Sequence, residues 1–109
     1  MARPPITTRD LAPEELRETF ERLADEWEEA TLFLSFSDQA AAHSAHQEIV
    51  GMGERAVPLI LERMRSRGGR WFHALHAITK ANPVQPADRG YVKAMQASWL
   101  EWGERNGYV

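Results

Sequence analysis

One apolar stripe constrains the fold of this chain more than any other feature. From residue 16 to residue 34, apolar side chains follow one another at alternating intervals of four and three residues. The members of this stripe are Leu16, Phe20, Leu23, Trp27, Ala30 and Leu34. An α-helix turns once in 3.6 residues, so this spacing places all of them on one face. The sequence therefore predicts an amphipathic helix, with Asp10 as its N-cap and Pro13 in its first turn.

Two more helices are expected before the Gly68-Gly69 pair. Hydroxyl and carboxylate side chains at 35–38 offer caps for a second helix that runs to about residue 50, where Gly51 and Gly53 end it. A third helix is expected over residues 55–67, with Pro58 tolerated in its first turn.

Two final helices follow the glycine pair. The fourth covers residues 70–80 and ends at Asn82-Pro83, and residues 82–90 form an ordered loop with two prolines. Asp88 is then expected to cap a fifth helix, with Gly103 and Gly107 fraying its end. The apolar residues of this last helix are Tyr91, Val92, Met95, Trp99 and Trp102.

The pattern as a whole predicts an all-α fold. A chain of 109 residues is long enough for one modest core, and no segment shows the alternation of a strand. We therefore expect a compact array of about five helices in a single helical domain at 13–109. Residues 1–12, which contain two prolines, are expected to form an extended N-terminal arm.

The sequence GERAVPLIL at 53–61, followed by a turn and a second amphipathic helix, resembles one hairpin of HEAT-like repeats. Such repeats often place a small residue, an apolar residue and a proline at the start of a helix. The resemblance implies a HEAT-repeat-like helical hairpin at residues 53–80.

A wider pattern resembles a family of small uncharacterised bacterial proteins. Its segments are GMG at 51–53, VPLIL at 57–61, WF at 71–72, AIT at 77–79, NPV at 82–84 and WLEWG at 99–103. The resemblance implies a bacterial cytoplasmic origin and transfers no site residues.

Composition excludes several classes of protein. The chain has no cysteine, which excludes disulfides and thiolate zinc sites. No apolar run approaches the roughly 20 residues of a membrane span, and the first residues lack the apolar stretch of a signal peptide. We therefore expect a cytoplasmic protein without a membrane partner. A net charge of −3 argues against a chain whose main role is to neutralise nucleic-acid phosphates.

Acidic residues dominate the first predicted helix. Segment 10–29 contains nine of them against Arg17 and Arg22: Asp10, Glu14, Glu15, Glu18, Glu21, Asp25, Glu26, Glu28 and Glu29. These side chains form a solvated outer face, a docking surface for a basic partner, or a nucleic-acid mimic that occupies a partner's phosphate site.

Basic residues cluster around the glycine pair, at Arg63, Arg65, Arg67 and Arg70. Arginines beside flexible glycines can bind a phosphate, together with the N–H groups at the start of the next helix. Cations near a helix C-terminus also stabilise the helix dipole, which is the alternative role.

Tryptophan and arginine dominate the hot spots of protein interfaces. Trp27 belongs to the apolar stripe and is expected in the core. Trp71, Trp99 and Trp102 are the candidates for exposed contacts. Trp71 and the adjacent Phe72 point about 100° apart on a helix, so at least one can face outward. Trp99 with Trp102 is expected to form a partly exposed aromatic rim.

All four histidines lie in two His-x-x-His pairs, His43 with His46 and His73 with His76. Residues three apart share a helix face, so two such helices could offer imidazole nitrogens to a divalent metal. The alternative is that the pairs lie on separate surfaces and bind no metal.

No phosphate-binding loop of the Walker type and no nucleophile elbow is present, so we expect no enzyme and no cofactor. The function predicted from the sequence is a non-catalytic protein–protein interaction module, whose partner is another protein or a second copy of the chain. The alternatives are a nucleic-acid-binding accessory protein that uses the arginines, and a histidine-ligated metal protein.

Overall fold

The chain is all-α. The computed structural model describes residues 12–32 and 38–108, which contain six α-helices and no strand. The contacts divide the chain into two compact units, with the boundary between Gly53 and Glu54. Residues 1–11 of the expected arm, with the Asp10 cap, lie outside the described residues, as do Leu34 and the caps at 35–37.

The first helix, α1 (Pro13–Ala30), confirms the apolar stripe. Its N-cap is Ala12, which offers no capping side chain, and Pro13 is its first residue. A helix N-terminus suits proline because the missing N–H group has no partner within the helix. The buried residues of α1 are Leu16, Phe20, Leu23, Ala24 and Trp27. Ala30 departs from the prediction and is exposed, because the helix ends there.

The predicted second helix is two helices, α2 (Asp38–Ala42) and α3 (Ser44–Gly51). His43 separates them with a ψ of 139°, and its Nδ1 atom accepts a hydrogen bond from the Ala45 N–H at 3.1 Å. The imidazole therefore caps α3, a role usually filled by serine, threonine, asparagine or aspartate. Gly51 is the last residue of α3, and a 3-10 turn follows at Gly53–Ala56.

Trp27 organises the interior of the first unit. Helix α1 packs on α3, and α3 also contacts α2. The Trp27 indole Nε1 donates a hydrogen bond to the Ala40 carbonyl oxygen at 2.8 Å, and both residues are buried. The Trp27 ring also lies against the buried His46 ring, with centroids 5.1 Å apart. One side chain thus connects α1 to both α2 and α3.

The second unit contains α4 (Val57–Arg67), α5 (Phe72–Thr79) and α6 (Val92–Arg105), and each helix contacts the other two. Pro58 lies in the first turn of α4, as predicted. The larger buried apolar residues are Val57, Leu59, Ile60, Leu61, Met64, Trp71, Leu75, Val84 and Trp99.

Helix α6 begins and ends differently from the prediction. Its N-cap is Tyr91, and no side chain caps it, because Asp88 belongs to a 3-10 turn at Pro86–Asp88. Gly103 does not fray the helix but is buried inside it. Backbone hydrogen bonds that close the last turn prevent fraying at its end.

These bonds form a Schellman motif. Gly107 has a φ of 79°, the Tyr108 N–H donates to the Gly103 carbonyl oxygen at 2.9 Å, and the Gly107 N–H donates to the Glu104 carbonyl oxygen at 3.3 Å. The apolar contact that often accompanies this motif is the stack of Tyr108 on Trp102, with centroids 5.4 Å apart. The chain after α6 is therefore folded back against its last turn.

Candidate interaction surfaces

The four predicted arginines divide into one buried side chain and three exposed ones. Arg63 is only 3% exposed, so the expectation that it joins a binding surface is wrong. Arg65, Arg67 and Arg70 are exposed on either side of Gly68 and Gly69. We call these three residues the arginine turn.

Glycine conformations and hydrogen bonds order the backbone of the arginine turn. Gly68 and Gly69 have φ angles of 76° and 98°, which favour glycine, and the Gly68 N–H donates to the Met64 carbonyl oxygen at 2.8 Å. The Gln96 side chain of α6 donates from Nε2 to the Gly69 carbonyl oxygen at 3.0 Å. The exposed guanidinium groups therefore project from an ordered backbone.

The guanidinium group of Arg65 has an ionic contact within the second unit. Nη2 of Arg65 lies 3.5 Å from Oε1 of Glu104, and at least half of each side chain is exposed. Exposed ion pairs of this kind contribute little to stability, so another carboxylate can replace the partner at small cost. The contact orients Arg65 without removing it from the surface.

The carboxylates of α1 form a stripe with the same residue spacing as the apolar stripe. Glu14, Glu18, Glu21, Asp25 and Glu28 follow the same intervals of four and three residues, two positions before the apolar residues. Two residues correspond to roughly 200° on a helix, so these carboxylates lie on the face opposite the core. Glu14, Glu18 and Asp25 are exposed, and Glu21 and Glu28 are half-buried. We call these five residues the acidic stripe.

The two units carry opposite net charges. The first unit has eleven acidic and four basic residues, which gives a net charge of −7. The second has five acidic and nine basic residues, which gives +4. Eight of those nine basic residues are exposed, the exception being Arg63. The overall charge of −3 therefore conceals two strongly charged units of opposite sign.

Two of the three predicted contact tryptophans are buried. Trp71 is 0% exposed and Trp99 is 2% exposed, so neither offers area to a partner. Trp102 is half-buried between Tyr108, on which it stacks, and Trp99, which it meets edge to face at 5.4 Å. The expectation of exposed tryptophans is wrong for Trp71 and Trp99 because helical spacing alone does not show what covers a side chain.

Among the residues that the structure describes, the large exposed apolar side chains are Leu32, 69% exposed, and Tyr91, 68% exposed. The sequence pattern predicts Tyr91 among the apolar residues of the last helix. Gly90, with a φ of 89°, instead turns the chain just before it, and Tyr91 becomes the N-cap residue. A glycine immediately before an apparent helical residue is the signal that could have indicated this position.

The histidines differ in their surroundings. His46 is buried, His43 caps α3, and His73 and His76 are exposed on α5. Nδ1 of His76 lies 2.8 Å from the Ala81 carbonyl oxygen, a contact in which the ring nitrogen donates. Within residues 12–32 and 38–108, no three histidine, aspartate or glutamate side chains are grouped to hold a metal ion.

None of the described helices combines the length and the apolar character needed to cross a bilayer.

Comparisons with protein-family models, curated proteins and solved structures gave no match. The geometry and charge of the two surfaces defined above are therefore the observations from which a function can be inferred.

Proposed function

We propose that this chain is a non-catalytic protein–protein interaction module of the bacterial cytoplasm. It acts as an adaptor, a regulatory subunit or a neutralising partner of the antitoxin or immunity type. Recognition uses charged helix faces together with exposed apolar side chains. The observation that carries the proposal is the acidic stripe, which continues to the C-terminal turn of α1.

Carboxylates at that end of a helix oppose its stability. The carbonyl groups of the last turn give a helix C-terminus a partial negative charge, which favours cations and disfavours anions. The last turn of α1 contains no basic residue and includes Glu28 and Glu29. A face that served only solubility could place lysine there and gain stability. Acidic residues along the full length of α1 therefore support a role in binding.

An exposed apolar residue follows the acidic helix directly. Leu32 lies in the turn after Ala30, two residues beyond α1, and most of its side chain is open to solvent. Interfaces commonly combine a desolvated apolar contact with charges at the rim, which increase the association rate. In the proposed mode, the acidic stripe steers a basic partner toward α1 and Leu32 contributes apolar contact.

We also propose that α4 and α5 correspond to the HEAT-like hairpin expected at residues 53–80, and that the chain belongs to the small bacterial family it resembles. Stacked helical repeats form extended surfaces that bind other molecules. This part of the proposal is independent of the acidic stripe.

The test is affinity purification of the tagged chain from its native cells, with and without nuclease, comparing two variants. The first carries Glu18→Gln and Asp25→Asn, which neutralise two positions of the stripe without changing side-chain size. The matched control carries Glu15→Gln and Glu26→Gln, two exposed residues of α1 outside the stripe. We expect a stoichiometric protein that survives nuclease, is retained by the control and is lost from the first variant.

Two results would contradict this proposal. Recovery of nucleic acid together with loss of all protein on nuclease treatment would favour the nucleic-acid alternative. Equal recovery of the partner by both variants would show that the acidic stripe is not its binding surface.

A further inference from the structure

We propose that the arginine turn is a docking surface for the acidic stripe of a second copy of this chain. This inference rests on the proposed function and specifies one partner for it. The surface is cationic, and the occupant is an acidic helix whose residues are already defined in α1.

The arginine turn is exposed and ordered in the single chain. Arg65, Arg67 and Arg70 are exposed, and the backbone between them is held by Gln96. Because the turn is already ordered, docking a partner loses little backbone entropy. Guanidinium groups bind carboxylates through two parallel hydrogen bonds, which suits arginine better than lysine for this role.

The length of α1 and the spacing of its carboxylates suit contact with the arginine turn. Helix α1 has 18 residues and is therefore about 27 Å long. Its carboxylates recur about once per turn on the face opposite the core, so more than one of them can approach the exposed arginines around Gly68 and Gly69. Arg65 already contacts a carboxylate on α6, which shows that its guanidinium can be reached by an acidic side chain from a neighbouring helix.

Charge favours a second copy over nucleic acid as the occupant. A phosphate backbone is negative along its whole length and has no positive part to offset repulsion by the first unit, whose net charge is −7, whereas a second copy also carries a unit of +4. A second copy instead supplies its acidic helix to the basic unit, so the contact joins opposite charges. Each copy would use two different surfaces, so the contact either closes reciprocally in a two-fold dimer or continues from copy to copy in rings or open chains.

Ionic strength provides the first test, on purified, nuclease-treated protein by sedimentation velocity. We expect species larger than the monomer at about 0.01 M salt, where the Debye length is about 30 Å. At about 1 M salt it is about 3 Å, and the association constant should fall at least roughly tenfold. A monomer at both ionic strengths, at the highest soluble concentration, overturns the proposal.

A charge swap provides the decisive test. The acid-reversed variant carries Glu14→Lys, Glu18→Lys and Asp25→Lys. The base-reversed variant carries Arg65→Glu, Arg67→Glu and Arg70→Glu. Each variant alone has two surfaces of the same sign and should remain monomeric. Mixed together, each acidic surface faces a basic one again, and association should return.

Mixing the variants separates the effect of charge from a loss of folding. A variant that fails to fold cannot restore association when the other variant is added. Circular dichroism of each variant checks its helix content beforehand. A folded pair that does not associate on mixing overturns the inference, as does association of the untreated wild type that disappears with nuclease. Neither outcome affects the proposed function, which depends on a partner recovered from cells and on the stripe variants there.

Discussion

Trp27 fills the core of the first unit and also satisfies a buried carbonyl group. Its ring contacts His46, and its indole N–H reaches the Ala40 carbonyl oxygen. A phenylalanine at this position would keep most of the apolar area but remove the indole donor, leaving the carbonyl with the longer hydrogen bond from the His43 N–H at 3.3 Å.

We expect Trp27→Phe to lower the free energy of unfolding by about 0.5–1.5 kcal/mol, the usual net contribution of one hydrogen bond. Urea denaturation measures this change. Trp102→Phe is the control, because its ring is half-buried, and it should cost less. Equal stability of Trp27→Phe and wild type would show that the hydrogen bond contributes nothing.

Two glycines should respond to alanine in opposite directions. Gly107 has a φ of 79°, and an added Cβ would meet no atom within 4 Å, so Gly107→Ala introduces only backbone strain and should cost roughly 1–2 kcal/mol. Gly51 is helical with equally open space, so Gly51→Ala should stabilise by roughly 0.5–1 kcal/mol. Thermal denaturation compares the two, and changes of the same sign would contradict the assignment of the Schellman motif.

Single residues also show where prediction from sequence succeeds. The apolar stripe of α1 can be predicted because helical spacing alone determines which side faces the core. Burial of Trp71, Trp99 and Arg63 cannot, because it depends on which neighbouring elements cover them. Spacing within one helix contains no information about those elements.

Helix α1 has its charges arranged favourably at one end and unfavourably at the other. Glu14 and Glu15 lie in its first turn, where the dipole favours anions, and Glu29 lies in its last turn, where it does not. All three side chains are exposed, so the two effects can be measured separately.

We expect Glu29→Lys to raise the free energy of unfolding and Glu15→Lys to lower it, each by roughly 0.3–1 kcal/mol at low salt. Both substitutions change the net charge by the same amount, so each controls for the other. Chemical denaturation at low and high salt is the measurement. Shifts of the same sign would mean that net charge, rather than the helix dipole, determines the effect.

The presence of a helix is easier to predict from sequence than the residues at which it begins and ends. The break at His43 has no glycine or proline to mark it, and a histidine cap is recognisable only once the imidazole is seen to accept a backbone hydrogen bond. Gly103 illustrates the converse, since a residue that usually ends helices lies buried within α6. Packing decides both positions, against the local preference of the residue.

The segregation of charge is a property of the whole molecule. Its acidic and basic halves can be counted from the sequence, but the boundary that makes each half a compact unit comes from the contacts. The acidic residues of the stripe can likewise be counted from the sequence. Their position opposite the apolar stripe follows from the helical geometry of α1.

This segregation predicts unusual behaviour on ion-exchange resins. At neutral pH and about 0.01 M salt, and at protein concentrations low enough to keep the chain monomeric, it should bind a cation exchanger through its second unit despite its net charge of −3. The base-reversed variant should lose this binding and the acid-reversed variant should keep it. Flow-through of the wild type would contradict the prediction of an accessible basic surface.

The placement of the tryptophans gives each unit its own optical reporter. Trp27 is the one tryptophan of the first unit, and Trp71, Trp99 and Trp102 belong to the second. A variant that retains only Trp27 would report unfolding of the first unit through its fluorescence, and a variant lacking only Trp27 would report unfolding of the second. Comparing their melting curves would measure how much the folding of one unit depends on the other.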